Sequence, residues 1–207
     1  QELANTGEQL TIGRSDAQVL LQKVVQLARQ VAHADLTVLY PYDPVKKLYY
    51  NDEIIVFNGQ LKNTEIKPRQ KPRENGLAAI IRRHEALIVE HVPDTGELQI
   101  QTGLRRPQML KPGTEAYREI LALIRESKFM IRENVRAFIG VSLRAEEQQH
   151  KGSKVQSHEV AVLYFNFRAP RHSSKEELQV IDIFCHQVAN VIHRNRLFYS
   201  LRKEREV

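Results

Sequence analysis

Cysteine and histidine side chains near the C-terminus are the residues of this sequence best suited to chemistry. The stretch IDIFCHQVANVIHRNRLF, residues 181–198, contains the single cysteine, Cys185, beside His186 and ahead of His193. Thiolates and imidazoles bind metals, and thiolates act as nucleophiles. In a helix, His186 and His193 lie two turns apart, about 10.5 Å along the axis. Because zinc–nitrogen bonds are about 2 Å long, these two histidines cannot share an ion, and we predict no metal site.

The cysteine also lacks the surroundings of a reactive thiol. A nucleophilic thiol needs positive charge or a helix N-terminus to lower its pKa, whereas the helical pattern places Cys185 in mid-helix among apolar neighbours. Free cysteine is among the most buried residue types, so a small core residue is the favoured interpretation. The chain has no phosphate-binding glycine loop, no HExxH zinc motif and no GxSxG nucleophile motif. We therefore predict no catalytic residue.

Composition narrows the remaining classes of protein. The 207 residues carry a net charge of +6, but the basic clusters at 67–73 and 104–107 lie beside prolines, which is typical of solvated loops and does not favour nucleic-acid binding. One cysteine excludes an internal disulfide and suits a cytoplasmic location. A mean hydropathy of −0.45 predicts no transmembrane helix and no membrane contact. Since the chain begins at Gln1, we expect it to be part of a longer protein.

Hydrophobic periodicity predicts an α+β fold built around an antiparallel sheet. Residues 1–14 are a tail or helical lead-in, 15–195 form the domain, and 196–207 are a C-terminal helical extension or linker. Segment 94–113 is expected to be irregular. Strands are predicted over 35–42, 46–59, 86–92, 135–145 and 159–168, and helices over about 16–32, from about 77, from about 114, and from about 174 to 206.

The fourth and fifth long β segments are apolar on both faces, so both faces of the sheet must be covered. In the fifth, alternation places Val160, Val162 and Tyr164 on one face and the intervening residues on the other. The final helix is predicted to begin at a capping box formed by Ser173 and Glu176. At roughly 30 residues it is long for a globular helix.

Four pieces of the chain, in this order, resemble a GAF domain. They read ADLTVLYPYD, NGLAAIIRRHEALIVEHVPD, VRAFIGVSLR and the closing strand and helix that begin HEVAVLYFNF. The resemblance implies a six-stranded antiparallel sheet, with the first and last helices packed on one face and a small-molecule pocket on the other. It also implies a sensory or regulatory module of a bacterial-type signalling protein.

An unknown small molecule is the ligand expected for this pocket. Family members that bind a bilin place a cysteine elsewhere, beside a characteristic histidine, so we predict no bilin, haem or metal. Aromatic residues on predicted strands are candidates to line the pocket, and two arginines are candidates to bind an anion. These six candidates are Tyr40, Phe57, Phe138 and Tyr164, with Arg118 and Arg136.

The long final helix is the expected route of communication. A 3–4 alternation marks a coiled-coil seam, formed by Ile181, Phe184, Val188, Val191, Asn195 and Phe198. The first half of this seam packs either on the first helix or on a second copy, and the second half favours a dimer contact or a rod to an output domain. We predict a non-enzymatic sensory module and homodimer; the alternatives are a ligand-free structural dimerisation module and, with less support, an enzyme or a nucleic-acid binder.

Overall fold

The computed structural model describes residues 2–49, 56–62, 72–147 and 154–205. Within these ranges the chain forms five helices and an eight-stranded sheet. The helices are α1 (Glu2–Ala32), α2 (Leu77–His84), α3 (Glu115–Arg125), α4 (Lys128–Glu133) and α5 (Lys175–Arg205). The strands are β1 (Leu36–Asp43), β2 (Leu48–Tyr49), β3 (Val56–Gly59), β4 (Ala86–Val89), β5 (Ile100–Thr102), β6 (Gln108–Met109), β7 (Ala137–Glu147) and β8 (Gln156–Phe167).

The sheet is antiparallel throughout, with strand order β2-β1-β8-β7-β4-β5-β6. Because β8 occupies one edge of β1, the other edge is shared by β2 and by β3, which pairs with the first half of β1. This confirms the predicted fold class. The strand count exceeds the six implied by resemblance, since β5 and β6 form within the segment that was expected to be irregular.

Side-chain alternation divides the core into two clusters, one on each face of the sheet. Residues Leu163 and Phe165 of β8 pack toward α1 and α5, while Val162 and Tyr164 pack toward α2, α3 and α4. The prediction that Val160 shares the face of Val162 is wrong, because Val160 lies in the α1/α5 cluster. The register of β7 and β8 shifts between Leu143 and Arg144, and such a bulge turns the extra residue to the opposite face.

The long final helix begins one residue later than predicted and is tied to the sheet along much of its length. The capping box is Ser174 with Glu177, whose backbone N–H groups each donate to the other's side chain at 3.1 and 3.0 Å. Farther along, the Arg196 guanidinium donates to the carbonyls of Tyr42 and Val160 at 2.9 and 2.8 Å. The domain therefore contacts α5 at least as far as Arg196, beyond the predicted boundary after residue 195. No described helix is long and apolar enough to cross a membrane.

The helices of the other face are held by close packing and by a buried carboxylate. A Cβ added at Gly140, in β7, would collide with the Cδ1 of Ile81, so the absence of a side chain lets α2 lie against the sheet. The Glu133 side chain is fully buried at the end of α4. It accepts from the backbone N–H of Lys62 at 2.8 Å and pairs with Arg132 and Arg168 at 3.0 and 3.2 Å. These contacts join α4 to the chain that leaves β3.

Candidate functional site

A cavity of about 220 Å³ lies between the sheet and the helices α2 and α4. The strands β1 and β8 form its floor, and the start of α2 and the α3–α4 connection form its walls. The lining residues are Val38, Tyr40, Pro72, Arg73, Gly76, Leu77, Ala78, Leu123, Glu126, Ser127, Lys128, Phe129, Met130, Tyr164 and Asn166. Since the opposite face of the sheet carries the α1/α5 cluster, this is the face on which a pocket was expected.

A buried carboxamide is the most unusual group of this cavity. Asn166 is only 2% exposed, yet neither its Nδ2 nor its Oδ1 has a hydrogen-bond partner among the described residues. Strand alternation places its side chain on the same face as Val162 and Tyr164, toward the cavity. An unsatisfied buried polar group costs roughly 1–3 kcal/mol. A ligand that offers both a donor and an acceptor would offset that cost.

Two tyrosines form an aromatic wall beside this amide. The rings of Tyr40 and Tyr164 meet edge to face, with centroids 5.8 Å apart at 89°. Burial raises the pKa of Tyr40 to about 12, against a smaller opposing effect of Arg132. Burial likewise raises the pKa of Tyr164 well above its usual range, with a further contribution from Tyr40. Both phenols are therefore neutral at physiological pH and can donate hydrogen bonds, but they are poor general bases.

Charged groups are confined to the rim of the cavity. Arg73, Glu126 and Lys128 line it and are themselves exposed, while its interior is aromatic, aliphatic and amide in character. No thiol or imidazole is found among the described lining residues. An apolar concave site with a few inward-facing polar groups is suited to binding and orienting a small molecule.

Of the six residues predicted to form the pocket, two line the cavity and four lie elsewhere. Tyr40 and Tyr164 line the cavity, and Phe138 lies fully buried behind Tyr164, with ring centroids 6.5 Å apart. Phe57 is half-buried and packs on the same cluster. The arginine Arg118 is exposed on α3 and does not line the cavity.

Arg136, the second arginine of the prediction, lies in a separate surface depression. Its guanidinium pairs with Asp94 at 2.6 Å and donates to the Asn134 side chain and the Val92 carbonyl at 3.1 and 3.4 Å. These contacts fasten the loop after β4 to β7. The Arg136 guanidinium is therefore already bonded to protein groups, and it does not face the cavity.

The predicted helix seam is likewise split between two environments. Ile181 and Val188 are buried in the α1/α5 cluster and Phe184 packs against it. Val191 is exposed, Phe198 is 61% exposed and Asn195 is half-buried. The first half of the seam therefore packs within its own domain, and the second half faces solvent.

Cys185 belongs to the same buried surface of α5 and is on the opposite face of the sheet from the cavity. Burial raises the pKa of this thiol far above its usual value, with a smaller contribution from Asp182. It is thus kept as the protonated thiol.

Asn166 is the site residue that sequence reasoning missed. The sequence contained the relevant pattern. Val162, Tyr164 and Asn166 are every second residue of a buried strand, so their side chains share one face, and Asn166 is the polar member of that set. The prediction looked instead for arginines that could hold an anion. The cavity residues Ser127, in the α3–α4 connection, and Phe129, on α4, came from a segment that was predicted as the helix starting near residue 114.

Comparison with known proteins agrees with this architecture. The GAF domain family matches residues 16–192, and the chain belongs to that family, whose members are sensory and regulatory modules. No curated protein matches the chain in sequence.

Three solved structures illustrate the shared fold. The green light-absorbing state of a red/green cyanobacteriochrome is 12% identical with a TM-score of 0.54, over 89% of this chain and 98% of that one. The GAF domain of a phosphoenolpyruvate-protein phosphotransferase from Coxiella burnetii is 16% identical with a TM-score of 0.53, over 92% and 96%. The phycoerythrobilin-bound GAF domain of a cyanobacterial phytochrome is 11% identical with a TM-score of 0.52, over 96% and 98%.

The prediction that excluded a bilin is wrong. Its argument was the absence of a suitably placed cysteine, but a structure of the same fold that covers nearly all of this chain holds phycoerythrobilin. The position of one cysteine is therefore insufficient to exclude this class of ligand.

Proposed function

We propose that this chain is a non-enzymatic sensory module of a signalling protein, which binds a small molecule in the cavity between the sheet, α2 and α4. The observation that carries the proposal is the buried carboxamide of Asn166 in the cavity floor, which has no hydrogen-bond partner within the described part of the chain. A protein that only needed a packed core would gain stability from an apolar residue there. Retaining the amide makes sense if a ligand completes its hydrogen bonds.

The chemistry of the cavity defines the ligand class. The Asn166 amide presents a donor and an acceptor side by side, as do the edges of nucleobases and other cyclic amides. Tyr40 and Tyr164 add aromatic surface and neutral hydroxyl groups, and Lys128 and Arg73 at the rim favour a negatively charged substituent. The ligand is thus a small planar heterocycle with an amide-like edge.

The cavity volume sets a second condition. About 220 Å³ is the liquid volume of roughly seven water molecules at about 30 Å³ each, which suits a single ring system. A bilin is larger than a single ring system, but the cavity is partly open to solvent, so its volume does not exclude one. Any bilin in this cavity would also be held without a bond to Cys185, which is on the other face of the sheet.

The test uses the purified 207-residue chain and a panel of nucleobases, with biliverdin as a separate probe. Binding is measured by ligand-observed NMR and, for biliverdin, by its visible absorption. We expect one or more heterocycles to bind the wild type and to bind Asn166→Leu at least 10-fold more weakly. Asn58→Ala is the matched control, because the Asn58 side chain bonds Arg29 outside the cavity at 3.4 Å. If binding were equal in all three proteins, the cavity would not be the site.

We propose further that α5 carries the signal and joins two copies of the chain. Five exposed apolar residues lie on one side of α5, opposite the buried residues, at successive separations of 3, 8, 7 and 3 residues: Val180, Ile183, Val191, Phe198 and Leu201. Such a stripe is typical of a helix that packs against a second helix. A ligand shifts this assembly only if it binds one helix arrangement better than the other.

Analytical ultracentrifugation tests the dimer. Ile183→Glu and Phe198→Glu place charge in the stripe and should each weaken association more than 10-fold, whereas Met109→Glu, at an exposed position on β6, should not. Truncation after Arg194 tests the relay toward an output domain in the longer protein. If truncation left both the oligomer and the ligand response unchanged, the relay would be excluded.

A ligand-free structural dimerisation module is the second candidate, and the small size of the cavity favours it. Native mass spectrometry separates the two functions. A small molecule retained by the purified chain supports the sensor, whereas a dimer that keeps no ligand and binds no probe supports the structural module.

A further inference from the structure

Three potential metal ligands meet where the β7–β8 hairpin touches α5. They are Glu147 at the end of β7, His158 near the start of β8 and His193 on α5. Each offers one ligand atom, and the three atoms lie within 4.8 Å of one another. This cluster is on the α1/α5 face of the sheet, so it is separate from the cavity.

The fold brings these side chains together although they are far apart in sequence. His158 pairs across the ladder with Ala145, and Glu147 lies two residues beyond Ala145, so all three face the same side of the sheet. Ala145 is fully buried under α5. On α5, His193 lies one turn beyond Ala189, which is buried against the same cluster. The hairpin and α5 thus bring the side chains of Glu147, His158 and His193 to the same place between them.

Two of the three separations between these atoms are close to those of metal ligands. The Nε2 atoms of His158 and His193 lie 3.4 and 3.5 Å from Oε2 of Glu147, beyond the usual range of about 2.7–3.2 Å for N–H···O bonds. Two ligands of a tetrahedral zinc ion with bonds of about 2.1 Å lie about 3.4 Å apart. Both Nε2 atoms are shielded from solvent and have no hydrogen-bond partner among the described residues.

The arrangement of the rings also favours a shared cation. The two imidazoles are stacked, with centroids 4.6 Å apart at 14°, so protonating both would place two positive charges in contact. A divalent ion leaves both rings neutral and balances the carboxylate. Because the Nε2 lone pair lies in the ring plane, binding requires one imidazole to tilt out of the stack. The partly exposed His158 has the room to do so.

We propose that Glu147, His158 and His193 form a zinc site with an open fourth position for water. Two imidazoles and one carboxylate are a ligand set that zinc accepts in tetrahedral geometry. The ion would clamp α5 to the hairpin next to an existing contact, in which the Glu146 N–H donates to Oδ1 of Asn190 at 3.3 Å. The sequence prediction of no metal did not consider this cluster, because it compared His193 only with neighbours on its own helix.

Zinc affinity of the metal-free 207-residue chain tests the site, by competition with a chromophoric chelator. We expect one zinc ion per chain, with affinity more than about 10-fold lower in His158→Gln and in His193→Gln. The matched control is His186→Gln, on the same helix but outside the cluster, which should bind like the wild type. Equal affinity in the control and the two cluster variants would overturn the proposal.

Two further measurements keep the test decisive if a variant folds poorly. Cobalt added to the wild type should produce the intense visible absorption of a tetrahedral ion, and zinc should raise the thermal unfolding midpoint of the wild type and His186→Gln. Zinc should leave the midpoint of Glu147→Gln unchanged. A wild type that shows neither the cobalt spectrum nor a zinc-dependent midpoint would exclude the site.

Discussion

On one face of the sheet α1 and α5 cover an apolar core, whereas on the other α2, α3 and α4 leave a cavity between themselves and the strands. The same strands serve both faces, because alternate residues of β8 point in opposite directions. Two long helices cover the first face along their length, whereas on the second face the connection at 126–127 borders a gap beside the buried side chains of α2 and α3. Both faces contain a packed core, and the second face also has room for a ligand.

Buried polar groups show the same contrast. Thr37 is fully buried on the α1/α5 side, and its hydroxyl donates to the Val25 carbonyl at 2.7 Å. Asn166, nearly as buried, has no partner for its side chain among the residues that the structure describes. The first group contributes to folding, and the second is costly until something binds it.

The largest effect is expected for a matched pair of fully buried phenylalanines, Phe165 on the α1/α5 face and Phe138 on the cavity face. Phe165→Ala should lower the free energy of unfolding by about 3–5 kcal/mol, the usual cost of such a truncation. Phe138→Ala should cost less, because the adjacent Tyr164 borders free space and can move into the gap. Urea denaturation of both variants measures the difference, and an equal or larger loss in Phe138→Ala would contradict the comparison.

A smaller loss of stability is expected for a substitution where α2 lies against β7. Gly140→Ala should destabilise the chain by about 1–3 kcal/mol through overpacking, because the new methyl group collides with Cδ1 of the fully buried Ile81. Ile81→Val removes that carbon and should recover part of the loss in the double variant. Thermal unfolding of the single and double variants gives the coupling. Additive losses would show that α2 adjusts freely and that its contact with the sheet is loose.

Replacing each of the two buried polar groups by an apolar one should change the free energy of unfolding in opposite directions. Thr37→Val should lower the free energy of unfolding by about 1 kcal/mol, since a satisfied hydrogen bond is lost. Asn166→Leu should raise it by about 1–3 kcal/mol, since an unsatisfied amide is replaced by an apolar group of similar size. Chemical denaturation of the ligand-free protein measures both. Destabilisation by Asn166→Leu would mean that the amide has a partner in the folded chain and is not reserved for a ligand.

The order of the elements could be predicted from sequence because helical and strand periodicity are local properties. The α+β class and the packing of Ile181 and Val188 within the domain followed from such patterns, the latter as one of two alternatives. The short strand β5, Ile100–Thr102, is too brief to show a period, and it forms because β4 provides an open edge. The position of Val160 depends on a bulge, which no alternation pattern reveals.

The sites depended on tertiary pairing, which is where sequence reasoning failed. Tyr40 and Tyr164, which line the cavity, were among the candidates because they are aromatic residues on predicted strands. Asn166 was missed because an isolated asparagine is informative only when the burial of its strand face is known. The cluster of Glu147, His158 and His193 was missed because the hairpin register and the α5 packing together create it.

The smallest effect on stability is expected just before the start of α5, outside both core clusters. The exposed His172 ring lies 2.9 Å from the Glu90 carboxylate, and this hydrogen bond, together with the attraction between the charges, raises the pKa of His172 above its usual 6.5. A histidine whose pKa is raised by folding stabilises the folded state fully below its unfolded pKa. That contribution is lost as the pH rises from about 6.5 through the raised value.

Replacing His172 by Gln should therefore reduce stability slightly near pH 5.5 and leave it unchanged near pH 8.5. The difference between wild type and His172→Gln in thermal midpoint, measured across this range, isolates the effect because every other titrating group is common to both proteins. Glu90 also accepts from the Ser173 N–H at 3.2 Å, so it keeps a partner in the variant. Parallel midpoint curves would show that the ion pair is fully screened by solvent, as many exposed pairs are, and that the other contacts at the start of α5, its capping box among them, hold it in place.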